Sequence, residues 1–571
     1  MPVGSHRPGR KDGDFAMLDG CTTWPEDMVR RYRSKGYWQG VTIPEAIERS
    51  IRANSDKTAV IEGERRLSYG ELGRRIDRLA ANLVRQGLRP LDRVLFQLPN
   101  SANLPVVFLA LLKAGAIPVL ALPAHRQTEL SHFINHAGAV AYCIPDKVKD
   151  FDYRIMAEEV AGLCPSLKQV FVLGEARPGQ VGLAALMESA GDLAADAALL
   201  VERRPSSGEV ALMLLSGGTT AMPKLIPRTH DDYVYNFTAC AVACAFHRDM
   251  VFLAVLHMAH NFTLGSPGLL GVLAVGGTVV VSGTTAEEVF PLIARHRVTF
   301  ICVAVPLVTA WLNSPEPAKH DLSSLECIMN GGAKLVPELR QRIEKQFGCT
   351  FIESFGTGEG LECKTRPDDP EAIRYLSSGR PVSPDDEIRI VDDWDRDLPD
   401  GQPGEVLARG PTTIRGYYNA PEATRRAFTA DGFYRMGDVA RQVGGYLYLE
   451  GRKKDMINRG GEKISCEEVE NHILAHPAVE GACVVAMPDP VFGEKACAFV
   501  RLKPGERLTF GQLADFMLSR QIAKFKLPER MEIVESFPIS PAGKILRREL
   551  RDRVAGLLAT EEAGKYHSVG G

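Results

Sequence analysis

The sequence predicts an α/β protein in two parts. A large N-terminal domain of two α/β layered subdomains carries a small β-barrel-like region, and a small α+β C-terminal domain follows. Three observations predict it. Apolar strand-like runs alternate with amphipathic helical patterns over most of the chain, the rhythm of βαβ units and parallel sheets. From about Gly379 that rhythm gives way to short strands between Asp/Gly/Pro turns. Beyond a charged, turn-like stretch, Gly451-Arg452-Lys453-Lys454-Asp455, a compact unit mixes helices and strands.

In chain order, Met1 to Gly20 is polar, Gly-rich and basic, and residues 1–22 read as a disordered lead-in without an apolar signal core. Helical patterning covers Pro44–Arg52 and Tyr69–Gln86, where Leu72, Ile76, Leu79 and Leu83 recur at helical spacing and Gly87 ends the run. Arg93–Leu98 reads as a buried strand, Val106–Lys113 as a helix and Ile117–Ala121 as a strand. Thr278–Ser282, Ala286–His296, Val298–Val303 and Leu307–Leu312 repeat the alternation. Ile388–Val391, Gly404–Arg409 and Tyr446–Leu449 are the short strands of the β-rich region. The last unit reads as helix Cys466–His476, strands Gly481–Met487 and Ala496–Leu502, helix Phe510–Arg520 and strand Arg530–Val534. The expected divisions are therefore 1–22, an N-terminal core 23–451, a hinge 452–455 and a C-terminal domain 456–571.

The 571 residues are 45% hydrophobic and 24% charged, with a formal net charge of −3. That balance gives no support to a nucleic-acid-coating or polybasic membrane-binding protein. The longest apolar run, Leu269–Val281, is too short and too Gly-rich to span a membrane. Twelve scattered cysteines with no CxxC pair read as reduced thiols of a cytoplasmic protein.

The chemistry concentrates in a few segments. An apolar strand, Ala211–Leu215, runs into Ser216-Gly217-Gly218-Thr219-Thr220, with Pro223 and Lys224 behind it. Glycines let backbone N–H groups converge on an anion, hydroxyls add donors and a lysine adds charge, so the loop suits a polyphosphate. It is not a P-loop, because the GxxxxGK[ST] spacing is absent. Phe355-Gly356-Thr357-Gly358-Glu359-Gly360 sets one carboxylate among glycines, a suitable ligand for Mg²⁺, which takes few protein ligands and keeps waters and phosphate oxygens. Asp438, after Gly437, suits the two hydroxyls of a ribose, and Pro541-Ala542-Gly543-Lys544 presents one lysine on a tight turn. Singly, each would more often be a solvated turn.

In this order and spacing the segments resemble the adenylate-forming superfamily of acyl-CoA synthetases, peptide-synthetase adenylation domains and firefly-type luciferases, over about Trp24 to Leu550. SGGTTAMPK resembles its phosphate loop, FGTGEG its aromatic-Gly-x-x-Glu motif, YRMGD its ribose aspartate, GRKKDMINRGGEKIS its hinge and SPAGKILRREL its catalytic-lysine motif. Narrower features resemble the stand-alone aryl-acid AMP ligases that activate 2,3-dihydroxybenzoate or salicylate for siderophore and related peptide synthetases. These are Trp24-Pro25 with Tyr32 and Gly36-Tyr37-Trp38, Leu225–Asn236 (LIPRTHDDYVYN), His260-Asn261-Phe262, Gly331-Gly332-Ala333-Lys334 and Asn458–Lys463.

The resemblance implies two half-reactions: an aryl carboxylate attacks the α-phosphate of ATP, and a phosphopantetheine thiol of an aryl carrier protein, or of CoA, then attacks the aryl-AMP. It assigns Lys544 to the carboxylate and α-phosphate. Ser216, Gly217, Gly218, Thr219, Thr220 and Lys224 fall to the β,γ-phosphates, and Glu359 to Mg²⁺. Asp438 and Arg452 fall to the ribose side, and Gly332 and Ala333 to adenine, alongside Phe355 and Gly356. His260 closes the carboxylate end of the acyl pocket, Asn261 bonds the ortho substituent and Ser266 faces the ring 3-position. Phe262, Gly331 and Glu362 complete that pocket. Lys454 is the pivot of a mobile C-terminal domain, and Gly460 and Gly461 line the pantetheine channel. No fused carrier domain follows Lys544, so the acceptor is expected to be separate.

Three residues depart from the family pattern: Ala221 for a phosphate-loop Gly, Gly358 before the Mg²⁺ carboxylate where Thr or Ala is usual, and Glu362 at a small apolar position. These bear on the substrate, not the chemistry. They keep 3-hydroxyanthranilate, salicylate and 3-hydroxypicolinate beside 2,3-dihydroxybenzoate, with Glu362 either reading the ring or turning to Lys364 or Arg366 at the surface. An aryl-CoA ligase is the nearest alternative activity, and a degenerate nucleotide-binding scaffold the non-enzymatic one.

Overall fold

The computed structural model describes residues 17–189, 191–216, 223–460, 462–520, 522–540 and 545–568. Two large sheets carry the N-terminal part. In the nine-stranded sheet, Thr58–Glu62, Thr278–Val281, Val251–Ala254, Phe300–Val303, Cys327–Gly331 and Thr350–Thr357 run parallel, side by side in that order. Antiparallel Gly360–Lys364 and Arg380–Pro381 extend one edge, and Arg65–Ser68 the other. The seven-stranded sheet is parallel from Val210–Leu215 through Ile117–Leu120, Arg93–Phe96, Ala141–Pro145 and Gln169–Leu173 to Val181–Gly182. Leu225–Thr229 returns antiparallel on its edge. Strands covered on both faces explain the unbroken apolar runs of the sequence.

One core joins the sheets. Val94 and Phe96 of one, and Val60, Phe252 and Val279 of the other, cluster around the helix Leu104–Lys113. That helix is buried at every position from Leu104 to Leu112, which is why it lacks a polar stripe. The helix Tyr69–Arg85 starts at a reciprocal cap, Ser68 with Glu71, and buries Leu72, Ile76, Leu79 and Leu83.

The β-barrel-like region is a four-stranded antiparallel sheet in chain order, Glu387–Val391, Gly404–Arg409, Tyr434–Val443 and Tyr446–Arg452. Its apolar face packs onto the strand Gly360–Lys364 through Leu361 and Cys363, so the sheet closes against its neighbour and not upon itself. The C-terminal unit sets the long hairpin Val479–Asp489/Gly493–Leu502 beside Met456–Arg459, Glu462–Ser465 and Arg530–Ile533, under the helices Cys466–Leu474 and Phe510–Ser519. Most predicted elements differ from the observed ones by a few residues at their ends, where apolar patterning and hydrogen bonding stop at different places.

Residues 17–22, read from sequence as part of the lead-in, belong to the fold: Met17, Leu18 and Cys21 pack against the core cluster of Leu95, Ile117 and Val119 on the seven-stranded sheet, and the Asn419 N–H donates to the Gly20 carbonyl. The aromatic opening is a clamp. Trp24 meets Trp38 edge-on at 4.9 Å, and Tyr37 stacks on Tyr235 at 4.7 Å. The Trp38 indole N–H donates to the Pro411 carbonyl at 3.1 Å. All twelve cysteines are free thiols, and all but Cys21 are buried.

The clamp closes over Ser383–Asp386. Asp385 pairs with Arg31 at 2.9 Å and Lys35 at 2.7 Å. Both carboxyl oxygens of Asp386 are shut off from solvent, and neither meets a hydrogen-bond partner among the described residues. Burial, reinforced by the charges of Glu362 and Asp385, pushes its pKa up to about 8. The native state thus keeps a proton that the unfolded chain releases near pH 4, and the stability this confers is lost as pH rises toward 8. Asp386→Asn should flatten that window, gaining on the wild type by up to about 1.4 kcal/mol per pH unit between pH 5 and 8. Urea midpoints across that range measure it, and parallel pH slopes for the two proteins would contradict it.

Candidate active site

The predicted site loops leave the carboxyl ends of parallel strands, where open α/β sheets bind ligands. Val210–Leu215 delivers Ser216. The Ser216 N–H donates to the Lys224 carbonyl at 2.9 Å, and Ser216 Oγ accepts from the Lys224 N–H at 2.9 Å. These two bonds pinch the ends of the Gly-rich loop. Gly217, Gly218, Thr219, Thr220 and Ala221 lie outside the described residues, as do Gly461 and Lys544.

Lys224 Nζ lies 4.8 Å from the Tyr417 ring centre, and the Tyr417 hydroxyl donates to Glu359 Oε1 at 2.8 Å. A cation and a carboxylate thus flank one tyrosine. Glu359 occupies the turn between Thr350–Thr357 and Gly360–Lys364. Gly360 has φ +132°, and a Cβ there would fall 2.3 Å from Thr413 Cα, so only glycine fits. The Ile414 N–H holds the Glu359 carbonyl at 2.8 Å. The Gly358 carbonyl accepts from Arg228 Nη1 at 3.0 Å, while Arg228 Nε pairs with Asp232 at 2.7 Å. The LIPRTHDDYVYN segment is therefore a buried brace for the Glu359 loop. At Gly358 an added Cβ would sit 3.0 Å from Ile226 Cδ1, a tight contact.

On the ribose side, Asp438 is buried opposite Arg452 in register, with Arg452 Nε 2.7 Å from Asp438 Oδ1. In the adenine loop, a Cβ on Gly331 would fall 2.5 Å from the Phe262 ring, whereas Gly332, at φ +85°, faces open space. Asn330 Nδ2 donates to the Ala333 carbonyl at 2.7 Å and to Glu353 Oε1 at 3.2 Å. Burial pushes the Glu353 carboxyl up to about 7 against the pull of Arg340.

The acyl-pocket residues also converge. His260 is exposed and caps the short helix Asn261–Gly265, its Nδ1 accepting from the Phe262 N–H at 3.4 Å. Its half-buried neighbour His257 meets the Leu98 carbonyl through Nε2 at 2.9 Å, and burial lowers its pKa to about 4. Tyr233 donates to Asn261 Oδ1 at 3.0 Å, leaving the amide NH₂ as a donor. Ser266 Oγ is 2.6 Å from Glu362 Oε2, and Gly356, next to Phe355, pairs with Glu362 in register. Glu362 does pair with Lys364, at 3.0 Å, but in the interior and not at the surface: its side chain is 3% exposed and that of Lys364 0%.

At the domain boundary, Lys454 lies in the single turn Lys453–Asp455. Gly460, at φ +57°, donates its N–H to the Phe492 carbonyl at 2.8 Å. Ser465 Oγ donates to the Glu450 carbonyl, and Arg520 meets Glu338 at 2.7 Å, so the C-terminal unit rests on the site-bearing domain.

Tyr417 and Asn330 were not singled out from sequence, and Arg228 and Tyr233 were quoted only as part of LIPRTHDDYVYN. Lys364 was named only as a surface partner of Glu362; two residues after it on a strand, it shares its face.

The two-part scaffold, with Ser216, Glu359 and Gly331 at the carboxyl ends of its parallel strands, is that of an ATP-dependent adenylate-forming ligase. The family model described as AMP-binding enzyme matches residues 47–418, and that of the AMP-binding enzyme C-terminal domain matches residues 468–544. The chain belongs to this family and, within the adenylate-forming superfamily, to its aryl-acid AMP-ligase branch. It is 44% identical over 541 residues to the 2,3-dihydroxybenzoate-AMP ligase of Bacillus subtilis (strain 168), covering 94% of this chain and 98% of the relative. It is 43% identical to the salicylyl-CoA synthase / salicylate adenylyltransferase of a Streptomyces species, covering 95% and 99%. The solved apo structure of Mycobacterium smegmatis MbtA superposes with a TM-score of 0.71 at 39% identity, covering 93% of this chain and 98% of that one. Among the described residues no helix is long and apolar enough to cross a membrane.

Proposed function

We propose that the protein activates an ortho-hydroxy or ortho-amino aryl carboxylate as its AMP ester and passes the aryl group to the phosphopantetheine thiol of a separate carrier protein, in siderophore or related nonribosomal peptide synthesis. One observation carries the reading: the contacts of Phe262 with Gly331, Tyr233 with Asn261 and Ser266 with Glu362 set an aromatic ring and polar groups suited to a substituted aryl acid in the domain that holds the Lys224–Tyr417–Glu359 corner.

In the first step the carboxylate oxygen attacks the α-phosphorus and pyrophosphate leaves. The chain's task is to align the two and to neutralise developing charge. Lys544 supplies the cation at the α-phosphate, Lys224 and the Ser216–Thr220 loop hold the β,γ-phosphates, and Asp438 with Arg452 holds the ribose. Glu359, a single buried carboxylate already oriented by Tyr417, fits Mg²⁺, which when bound would neutralise phosphate charge. Asn261 offers its NH₂ to the ortho oxygen. In the second step the thiol, entering past Gly460 and Gly461, displaces AMP.

Mass spectrometry of quenched reactions tests the reading: aryl-AMP should form without acceptor and disappear when a phosphopantetheinylated carrier is added. The salicylyl-CoA synthase name of one relative favours CoA as the second acceptor to assay. Consumption with CoA but never with a carrier would make the protein an aryl-CoA ligase. Asn261→Ala should cut the kcat/KM preference for salicylate over benzoate by about tenfold, the value of one hydrogen bond in a closed site. A wild type that uses benzoate as well as salicylate would contradict the Asn261 role.

A further inference from the structure

Glu362 and Lys364 project from the same face of the strand Gly360–Lys364 into the interior. Their hydrogen bonds leave little freedom. Lys364 Nζ donates to Ser354 Oγ at 2.8 Å, to Ser266 Oγ at 3.0 Å and to Glu362 Oε2 at 3.0 Å. An ammonium has three N–H groups, so all are spent and none remains for a ligand. Burial favours loss of the Lys364 proton, and the acidic groups of Cys240 and Glu362 outweigh it, so its pKa lies above the ordinary lysine value.

Ser266 stands between the two charged groups. A carboxylate only accepts and an ammonium only donates. The 2.6 Å contact to Glu362 therefore consumes the one hydrogen of Ser266, and the contact from Lys364 consumes one of its two lone pairs. A single acceptor position is left. A serine without this pair would rotate its hydroxyl and serve either a donor or an acceptor.

We propose that the buried Glu362–Lys364 pair fixes the hydrogen of Ser266, so that the aryl pocket reads a hydrogen-bond donor, a ring hydroxyl or amino group, beside the ortho substituent. This rests on the aryl-acid reading above and goes beyond it: it assigns Lys364 as a positioning residue and states the polarity the ring must carry. Acids bearing fluorine or hydrogen at that position leave the last lone pair of Ser266 unmatched in a dry site and are rejected.

The test is ATP–pyrophosphate exchange with 2,3-dihydroxybenzoate, 3-amino-2-hydroxybenzoate, 3-fluorosalicylate and salicylate. The wild type should favour the two donor acids over the other two by at least about tenfold in kcat/KM, mainly through KM. In the charge-neutral double variant Glu362→Val/Lys364→Met, Ser266 regains its hydrogen, and the ratio of 2,3-dihydroxybenzoate to 3-fluorosalicylate should fall to within about threefold, with 3-fluorosalicylate itself gaining. Ser266→Ala keeps the pair and should lose the preference without that gain, and it decides the matter if the double variant fails to fold. A wild type that ranks donor and non-donor acids alike, or variants that keep the wild-type ratio, would overturn the proposal while leaving aryl adenylation standing. Exchange with none of the four acids would overturn both.

Discussion

Lys544→Ala is expected to slow aryl-AMP formation by about a thousandfold or more, while transfer from preformed aryl-AMP to the thiol changes by less than about threefold. The first half-reaction brings a carboxylate anion onto an already anionic phosphate, so it needs a cation aimed at the developing charge. The second expels AMP from an activated ester and needs an open route for the thiol. Single-turnover assays of each half-reaction separate the two. Equal losses would mean that Lys544 serves the fold and not the adenylation step.

Lys454→Pro should impair one half-reaction at least about a hundredfold more than the other. The structure supplies the mechanical reason. Lys453 is tied to the N-terminal side, 2.9 Å from Glu405 and 3.2 Å from Asp393. Asp455 is tied to the C-terminal side, through Arg551 and Arg547. Lys454 joins a residue tied to one side to a residue tied to the other, so a rotation of one domain against the other would pass through this turn, and proline would fix φ at Lys454. The contacts that must part are identifiable: Arg520 with Glu338, Ser465 with the Glu450 carbonyl, and the helix Cys466–Leu474 near the adenine loop. Burial beside that loop pushes the Glu467 carboxyl up to about 7, with Lys334 opposing the shift. A uniform loss of both half-reactions, or none, would count against the hinge.

Much of this arrangement was legible in the sequence, for physical reasons that can be named. Strands such as Cys327–Gly331 and helices such as Ala286–His296 announce themselves by period and by caps, as Thr285 does with Glu288. The loops that carry Ser216, Gly331 and Glu359 stand out because backbone convergence on a nucleotide demands glycine. What stayed hidden lacks such a signature. Tyr417 meets Glu359 only because the chain returns across the Gly360 turn, a contact that no local pattern encodes. Glu362 reads in the sequence either as a ring contact or as a surface partner of Lys364 or Arg366, and the structure makes it half of a buried pair with Lys364, a placement that no local pattern encodes. The role of His260 as an exposed cap of the helix Asn261–Gly265 is likewise set by local hydrogen bonding that its apolar neighbours do not announce.

The central claim is that this chain adenylates an ortho-substituted aryl acid. The most direct measurement is ATP–pyrophosphate exchange by the full-length protein over a panel of 2,3-dihydroxybenzoate, salicylate, 3-hydroxyanthranilate, 3-hydroxypicolinate, benzoate, acetate and malonate. The account predicts exchange that depends on one or more of the four ortho-substituted acids and falls at least about tenfold with benzoate. Exchange driven by acetate or malonate as well as by any aryl acid, or by no aryl acid at all, would contradict it.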